Sequence, residues 1–145
     1  MLEQYPQDVK LIFKNYPLSR HAYSKKAAIA AAAAQRQEKF WEYHDRLFEN
    51  YDRLNDQKFR EIARELSLDM EKFEKDMNDP ATILRVHKDA QLGHIVGVGG
   101  TPTIFINGSI SKARKLEEFR TIVEDTVYKA RKRAALSEDQ SRVKP

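Results

Sequence analysis

The chain has 145 residues, of which 41% are hydrophobic and 33% charged, and its formal net charge is +4. That length suits one domain, and that apolar content excludes an intrinsically disordered chain. No apolar run approaches the roughly 20 residues that a membrane-spanning helix requires, so no membrane partner is expected. Cysteine is absent, which excludes disulfides, thiolate metal sites and cysteine nucleophiles in the sequence as it stands.

The N-terminus and the charge distribution narrow the class of protein further. Residues 1–8 have neither a basic start nor an apolar stretch, so no signal peptide is visible and localisation stays open. Basic residues are in excess in residues 1–36 and 112–145, whereas residues 37–111 carry net negative charge. A nucleic-acid-binding domain concentrates positive charge on one face. The basic cluster at 129–133 instead suits the last turns of a helix, so no nucleic-acid partner is predicted.

The first part of the chain predicts one strand followed by a helix. Val9–Lys14 is a short, apolar-rich run that ends at Asn15-Tyr16-Pro17, which predicts a buried strand and a turn. Ser19 or Ser24 is expected to cap a helix that continues through an alanine-rich stretch to about Arg36.

Four more helices follow by spacing and capping chemistry. Asn55 or Asp56, Asp69 and the Asp79-Pro80 pair are expected to open three of them, the last ending near Leu92. The helix before these has one face of aromatic, histidine and leucine side chains: Phe40, His44, Leu47, Phe48 and Tyr51. The aromatic residues Phe40, Trp41, Tyr43 and Phe48 are interpreted as core rather than as a ligand-binding cluster.

The chain then changes from helical to strand chemistry. All five glycines lie between Gly93 and Gly108, where they permit positive φ or a close approach of the backbone. Residues 103–106 predict a strand, Asn107-Gly108 a two-residue hairpin turn, and 109–111 the returning strand. A strand, a helical block, a hairpin and a helix predict a layered α/β domain. The final helix has an apolar face: Leu116, Phe119, Ile122, Val123, Thr126 and Val127.

This order of elements and the run GGTPTIFING at residues 99–108 resemble the DsbA-like branch of the thioredoxin superfamily, whose members are thiol–disulfide oxidoreductases. The stretches VKLIFKNYPL at 9–18 and KFWEYHDRLF at 39–48 match the same family, as does LSLD at 66–69 followed by Phe73. The Thr-Pro-Thr strand and the hairpin are the most specific part of this match, and the Phe-Trp stretch comes next.

The resemblance implies an α/β, incomplete thioredoxin-like fold over residues 1–136. A helical subdomain at about 19–92 would be inserted between the family's second strand and its cis-proline hairpin. Residues 137–145 are then expected to form a frayed tail.

The resemblance also implies a substrate-binding loop made of Gly100, Thr101 and Pro102. In the family the corresponding proline is cis, and the backbone of the residue before it pairs with an extended polypeptide as an added strand. The residues alone leave open a trans proline that begins a strand, where a missing N–H is tolerated. An extended polypeptide along the Thr101-Pro102 edge is therefore the partner that the resemblance predicts.

One departure from the family decides the chemistry. The family's first strand, and the Cys-x-x-Cys motif that opens its first helix, would precede Met1 and are absent from this sequence. Disulfide exchange needs a thiolate to attack and a second cysteine to resolve the mixed disulfide. No catalytic residue and no cofactor is therefore assigned, and the chain is predicted to be redox-inactive. It is either a truncated piece of an active oxidoreductase, commonly periplasmic or exported in this family, or a non-catalytic peptide-binding or dimerisation module.

Loss of the first strand has a structural consequence. In the thioredoxin arrangement that strand lies between the second strand and the proline-led strand. Without it, Val9–Lys14 is expected to expose unpaired edges and apolar side chains. A rearranged sheet, a strand from a partner, or a homodimer through the orphaned edge could compensate, and the homodimer is preferred.

The remaining candidate sites have ordinary structural explanations. The histidines have no metal-ligand spacing, so no metal site is predicted. Glu117-Glu118 and Glu124-Asp125 are interpreted as a solvated helix face rather than a catalytic pair. The Gly97-x-Gly99-Gly100 run lacks the spacing of a phosphate-binding loop. The histidines are His21, His44, His87 and His94.

Overall fold

The computed structural model describes residues 2–142, which form six helices and one two-stranded sheet. The chain divides into two compact units. The helical unit extends from Lys14 to Thr101, and the terminal unit combines the chain up to Phe13 with the chain from Pro102 onward. This arrangement confirms the α/β class with an inserted helical block.

The helical unit is built around its first helix. That helix is made largely of alanine, the residue with the highest helix propensity, and its small side chains let four neighbouring helices approach it. Residues 29–34 are all buried. Four of its alanines pack in one cluster with Tyr43, Phe59, Ile62 and Phe73, each at most 1% exposed, whereas Ile29 and Ala32 pack with Val86. The helices are α1 (Ser24–Gln35), α2 (Phe40–Glu49), α3 (Asp56–Glu65), α4 (Met70–Asn78) and α5 (Pro80–Ile95).

Three of the predicted helix caps form as the sequence indicates. The side chain of Asn55 accepts a hydrogen bond from Lys58 N at 2.8 Å, and Asp69 accepts one from Lys72 N at 3.0 Å. Asp79 caps α5 in the same way, with Pro80 at its first position. Each bond satisfies a backbone N–H that has no partner inside its helix.

The cap predicted for α1 is wrong. Tyr23 is the N-cap residue and its side chain makes no capping bond. Ser24 lies inside the helix, where its hydroxyl oxygen is 2.7 Å from Leu18 O and 2.9 Å from His21 O. The serine therefore donates to the carbonyls of the preceding turn rather than accepting from the helix.

The aromatic face predicted for α2 is only partly buried. Tyr43 and Leu47 are in the core, whereas Phe48 is 66% exposed and Tyr51, which follows the helix, is 77% exposed. The assignment of Phe48 to the core is therefore wrong, and Trp41 is half-exposed. Each residue turns the helix by about 100°, so the residue after Leu47 already leaves the buried stripe.

The terminal unit contains the predicted hairpin. Strands β1 (Phe105–Ile106) and β2 (Ser109–Ile110) pair antiparallel, with Phe105 opposite Ile110. Asn107 and Gly108 both adopt positive φ, 47° and 83°, as a two-residue turn of this twist requires.

Helix α6 (Leu116–Arg142) follows the hairpin. The buried residue of its predicted apolar face is Val127, with Phe119 half-buried. Its backbone is helical through Arg142, so the tail predicted to fray from Ser137 is helical as far as that residue. Residues 143–145 lie outside the described residues.

The strand predicted at Val9–Lys14 does not form. Across the described residues 2–142, this segment joins no strand ladder. Leu11, Ile12 and Phe13 are 57%, 64% and 40% exposed. A strand, unlike a helix, satisfies its backbone only through a neighbour. The exposed apolar edge expected from the loss of the family's first strand is therefore observed, although the strand itself is not. We call Leu11, Ile12 and Phe13 the orphaned edge.

Candidate functional site

The predicted substrate-binding loop lies at residues 100–102, where the chain makes a bend. Gly100 is half-buried, whereas Thr101 and Pro102 are exposed. Within the described part of the chain, Thr101 forms no hydrogen bond. Binding of an extended peptide at this backbone, which the resemblance implies, stays a prediction. The isomer of the Thr101-Pro102 bond stays a prediction.

A glycine that follows the last turn of α5 begins the segment that leads to this loop. Gly97 has a φ of +76° and follows the last turn of the helix. Its N–H donates to His94 O at 3.1 Å, and Val98 N–H donates to Gly93 O at 2.8 Å. This pair of bonds is a Schellman motif, which terminates the helix and satisfies two of its last carbonyls. Gly97 thus ends the helix and redirects the chain.

Tyr16 contacts this end of α5, although it lies 78 positions before His94 in the sequence. Its ring lies so close to Gly93 that a Cβ there would be 2.6 Å from Tyr16 Cδ2. The Tyr16 hydroxyl is 2.9 Å from Val98 O and 3.2 Å from His94 Nδ1. Gly93 therefore makes room for a ring that reaches the loop before Thr101.

A buried carboxylate fixes the turn that carries Tyr16. Asp89 on α5 accepts from Asn15 N and from Asn15 Nδ2, both at 3.1 Å, and from Lys14 Nζ at 2.9 Å. Burial raises the pKa of Asp89, but the hydrogen bonds from Lys14 and Asn15 outweigh it, so the net pKa lies below the ordinary value. This carboxylate stays charged at neutral pH and joins residues 74 and 75 positions apart.

Other candidate residues take structural roles. Glu118 accepts from Arg114 N at 2.8 Å at the start of α6, and Asp125 pairs with Lys129. In the basic cluster at 129–133, Arg131 makes a two-pronged contact with Asp8. The pKa of Asp8 is lowered by its hydrogen bond from Arg131.

The histidines are dispersed over different surroundings. His94 contacts Tyr16, and His44 packs among the aromatic rings of α2 and lies 3.0 Å from Asp45 Oδ1. Among residues 2–142, no group of three or more His, Asp or Glu side chains could hold a metal ion. In the same span, no helix combines the length and the apolar character needed to cross a membrane.

The sequence alone does not predict the contact of Asn15 with Asp89 or the contact of Tyr16 with His94. Asn15 and Tyr16 were assigned only to a turn, and Asp89 only to a helix. The residues around Asn15 and Tyr16 do not indicate which residue, more than 70 positions away, contacts them. Gly93 lies inside the observed α5, where glycine costs about 1 kcal/mol relative to alanine, but the predicted helix ends near Leu92 and therefore gives no hint of its role.

As it stands, the sequence lacks the sulfur groups that disulfide exchange requires. Thr101 is exposed, and Tyr16 contacts Val98, three residues before it. The sequence contains no cysteine, so neither the attacking nor the resolving sulfur is present.

Two solved structures resemble this chain. One is a thioredoxin-like oxidoreductase from Silicibacter pomeroyi DSS-3, with a TM-score of 0.69, 26% identity, and coverage of 82% of this chain and 68% of that chain. The other is the thiol–disulfide exchange protein alpha-DsbA2 from Wolbachia pipientis, with a TM-score of 0.71, 26% identity, and coverage of 79% and 64%. Both likenesses support an incomplete thioredoxin-like fold.

Curated relatives match by sequence over a smaller share of their own length. A Na(+)/H(+) antiporter NhaA 3 from Salinispora tropica is 36% identical over 101 residues, which are 69% of this chain and 16% of the antiporter. A Na(+)/H(+) antiporter NhaA from Herminiimonas arsenicoxydans is 34% identical over 101 residues, again 16% of its length. The chain thus spans about a sixth of these relatives.

The family itself is shown by the sequence profile of the DSBA-like thioredoxin domain, which matches residues 2–124. That span includes the five helices of the helical unit, the loop at 100–102 and the hairpin. The chain belongs to the DSBA-like thioredoxin domain family, and it is a cysteine-free member as its sequence stands.

Proposed function

We propose that this chain is the substrate-holding part of a DsbA-like thiol–disulfide oxidoreductase whose Cys-x-x-Cys segment is encoded upstream of Met1. In this proposal the chain is a truncated form, inactive alone in disulfide exchange. The Gly100-Thr101-Pro102 loop, with its proline cis, binds an extended polypeptide beside the missing cysteines. Antiport is the activity named for relatives that are far longer than this chain, and it is not part of the proposal.

The orphaned edge is the observation that carries this proposal. Its three side chains expose apolar surface that a folded domain normally buries, and burying a side chain of this kind is worth about 1.5–3 kcal/mol. A strand laid beside residues 9–14 would cover these side chains. An upstream strand that also leads into a cysteine-bearing helix would supply both missing parts at once.

The state of the loop supports a peptide as the substrate. The backbone of Thr101 is exposed and forms no hydrogen bond in the described residues. An extended peptide gains affinity by pairing its own N–H and C=O with such groups, in the manner of an added strand. Such binding selects for extended backbone more than for side chains.

A fusion experiment tests the proposal. The first strand and Cys-x-x-Cys helix typical of the DSBA-like family would be joined before Met1, and reduction of a fluorescent disulfide peptide would be measured. We expect activity from the fusion and background rates from the unfused chain and from a matched Ser-x-x-Ser fusion. A folded fusion that stays at background would contradict the proposal.

A peptide-binding measurement checks the loop separately. An extended peptide should bind the Ser-x-x-Ser fusion, and the same peptide N-methylated at the residue opposite Thr101 should bind at least tenfold more weakly. The reason is that N-methylation removes the backbone donor and leaves the side chains unchanged. Equal affinity of the two peptides would exclude backbone pairing.

The alternative function is a non-catalytic peptide-binding or dimerisation module, and the orphaned edge also favours its homodimeric form. Two copies could pair their exposed edges and bury Leu11, Ile12 and Phe13 against each other. Analytical ultracentrifugation of the unfused chain should then show a dimer that Ile12→Lys converts to monomer. A monomeric chain with a normal cooperative melting transition would exclude the homodimer.

A further inference from the structure

The Tyr16 hydroxyl lies between two groups at the C-terminal end of α5. Val98 O is 2.9 Å from the hydroxyl oxygen, and His94 Nδ1 is 3.2 Å from it. The rings of Tyr16 and His94 also pack at a centroid distance of 5.3 Å. Val98 lies three residues before Thr101, so this contact is made to the start of the loop that presents the peptide-pairing backbone.

The number of hydrogens fixes the direction of both bonds. A tyrosine hydroxyl has one hydrogen, and a carbonyl oxygen can only accept. The hydrogen of Tyr16 therefore goes to Val98 O, at the shorter distance. His94 Nδ1 can then complete the arrangement only as a donor, so its hydrogen lies on Nδ1 and points at the tyrosine oxygen.

Packing holds the tyrosine in the position that this arrangement needs. The ring occupies the space that a side chain at residue 93 would fill, with two ring carbons 2.6 and 2.7 Å from that Cβ position. The preceding residue is fixed by two bonds from Asn15 to the carboxylate of Asp89. The hydroxyl is thus aimed at Val98 O from a rigid base.

We infer that Tyr16 is a positioning residue for the peptide-binding loop: its hydroxyl, supported by the Nδ1–H of His94, holds Val98 so that Thr101 is presented in one conformation. This inference rests on the proposed function, because it names what prepares that loop for a peptide. Peptide affinity falls by the fraction of molecules in which the loop leaves that conformation.

Tyr16→Phe is the direct test, because it keeps the ring against Gly93 and removes only the hydroxyl. In the Ser-x-x-Ser fusion and in the unfused chain, we expect amide exchange of Val98 to become about fivefold faster, the factor that corresponds to one net hydrogen bond. Peptide affinity of the fusion should fall by a similar factor. The matched control is Tyr51→Phe, whose ring is 77% exposed, and it should change neither readout.

Substitutions of His94 test the assigned hydrogen. His94→Asn places an amide donor near the Nδ1 position and should keep exchange of Val98 close to wild type. His94→Ala removes the donor and should accelerate the exchange. Long-range proton–nitrogen spectra of the imidazole should show the neutral ring protonated on Nδ1.

The failures of the two proposals are distinguishable. Unchanged Val98 exchange in Tyr16→Phe would overturn the positioning role, and so would faster exchange with unchanged peptide affinity. A wild-type fusion that binds no peptide would instead overturn the proposed function, while the exchange rates would still decide whether Tyr16 orders the loop.

Discussion

The helical unit and the terminal unit differ in how far their own residues satisfy backbone groups and bury apolar side chains. In the helical unit, five helices surround a buried core, and the caps and the Asp89 carboxylate satisfy backbone groups at its helix ends and its entry turn. In the terminal unit, buried hydrophobic side chains are few in the described residues, and the orphaned edge is exposed. A helix pairs its backbone within itself, whereas a strand depends on a neighbour that can be far away in sequence.

This contrast explains which elements of the thioredoxin-like fold form in this chain. The helices of the helical unit pack against one another within residues 14–101. The terminal unit keeps a hairpin, whose two strands are adjacent in sequence, and a helix. The segment at 9–14 pairs with no strand in the described residues, so its backbone forms no ladder there.

Replacing one phenylalanine of each unit by alanine gives the largest expected difference in stability between the two units. Phe73 is fully buried and packs at 5.6 Å from the ring of Tyr43, so Phe73→Ala should lower the free energy of unfolding by about 4 kcal/mol. Phe105→Ala in the hairpin, where the side chain is 38% exposed, should cost about 1 kcal/mol. Urea denaturation followed by circular dichroism measures both. Equal losses would mean that the two units do not differ as described.

The buried carboxylate gives the next largest effect. Asp89→Asn weakens the bonds to Lys14 and Asn15 and should lower the free energy of unfolding by about 2 kcal/mol at pH 7. Because the folded pKa of Asp89 is depressed, its stabilisation is full above the unfolded pKa of about 3.9 and is lost as pH falls through the folded pKa. Denaturation curves at pH 7, 4 and 2.5 should therefore show the wild-type advantage shrinking only in the acid range. An advantage independent of pH would contradict this role.

Alanine at residue 93 tests whether the tyrosine is held in place. Alanine favours a helix over glycine by about 1 kcal/mol, but its Cβ would overlap the Tyr16 ring and cost about 1–3 kcal/mol. We expect a net loss of about 1 kcal/mol in the free energy of unfolding. Gly99→Ala is the matched control, because no atom lies within 4 Å of its Cβ position. A stabilised Gly93→Ala protein would show that the ring moves away freely.

The smallest effect on stability is expected at the orphaned edge. Ile12 is 64% exposed, so Ile12→Lys should change the free energy of unfolding of the unfused chain by less than about 0.5 kcal/mol. In the cysteine-bearing fusion the same substitution should cost about 2 kcal/mol, since an apolar residue would there be covered by the added strand. Thermal unfolding of both pairs gives the comparison. Equal small effects would mean that the strand does not cover this edge.

Local chemistry made much of the fold predictable. Asn55, Asp69 and Asp79 each cap a helix through a bond to a residue two or three positions away. The turn at Asn107-Gly108 follows from two residues that tolerate positive φ. Such features need no knowledge of the rest of the chain.

Features that depend on distant partners were not predictable in the same way. The strand at 9–14 was predicted from composition, but its formation requires a neighbour that the sequence does not contain. The contacts of Asn15 with Asp89 and of Tyr16 with His94 join residues 74 and 78 positions apart. Phe48 was assigned to the core because helical spacing fixes a face only to within one residue. The loop at 100–102 was reached through resemblance to a family, not through its own residues.

The central claim is that the cysteine-bearing part of this protein lies upstream, and the intact mass of the endogenous protein tests it most directly. The protein would be isolated from its native cells, reduced, and weighed with and without thiol alkylation. The account predicts a mass well above 16.9 kDa that increases by two alkyl groups. A mass of 16.9 kDa with no increase would contradict it and would favour the dimeric, non-catalytic module.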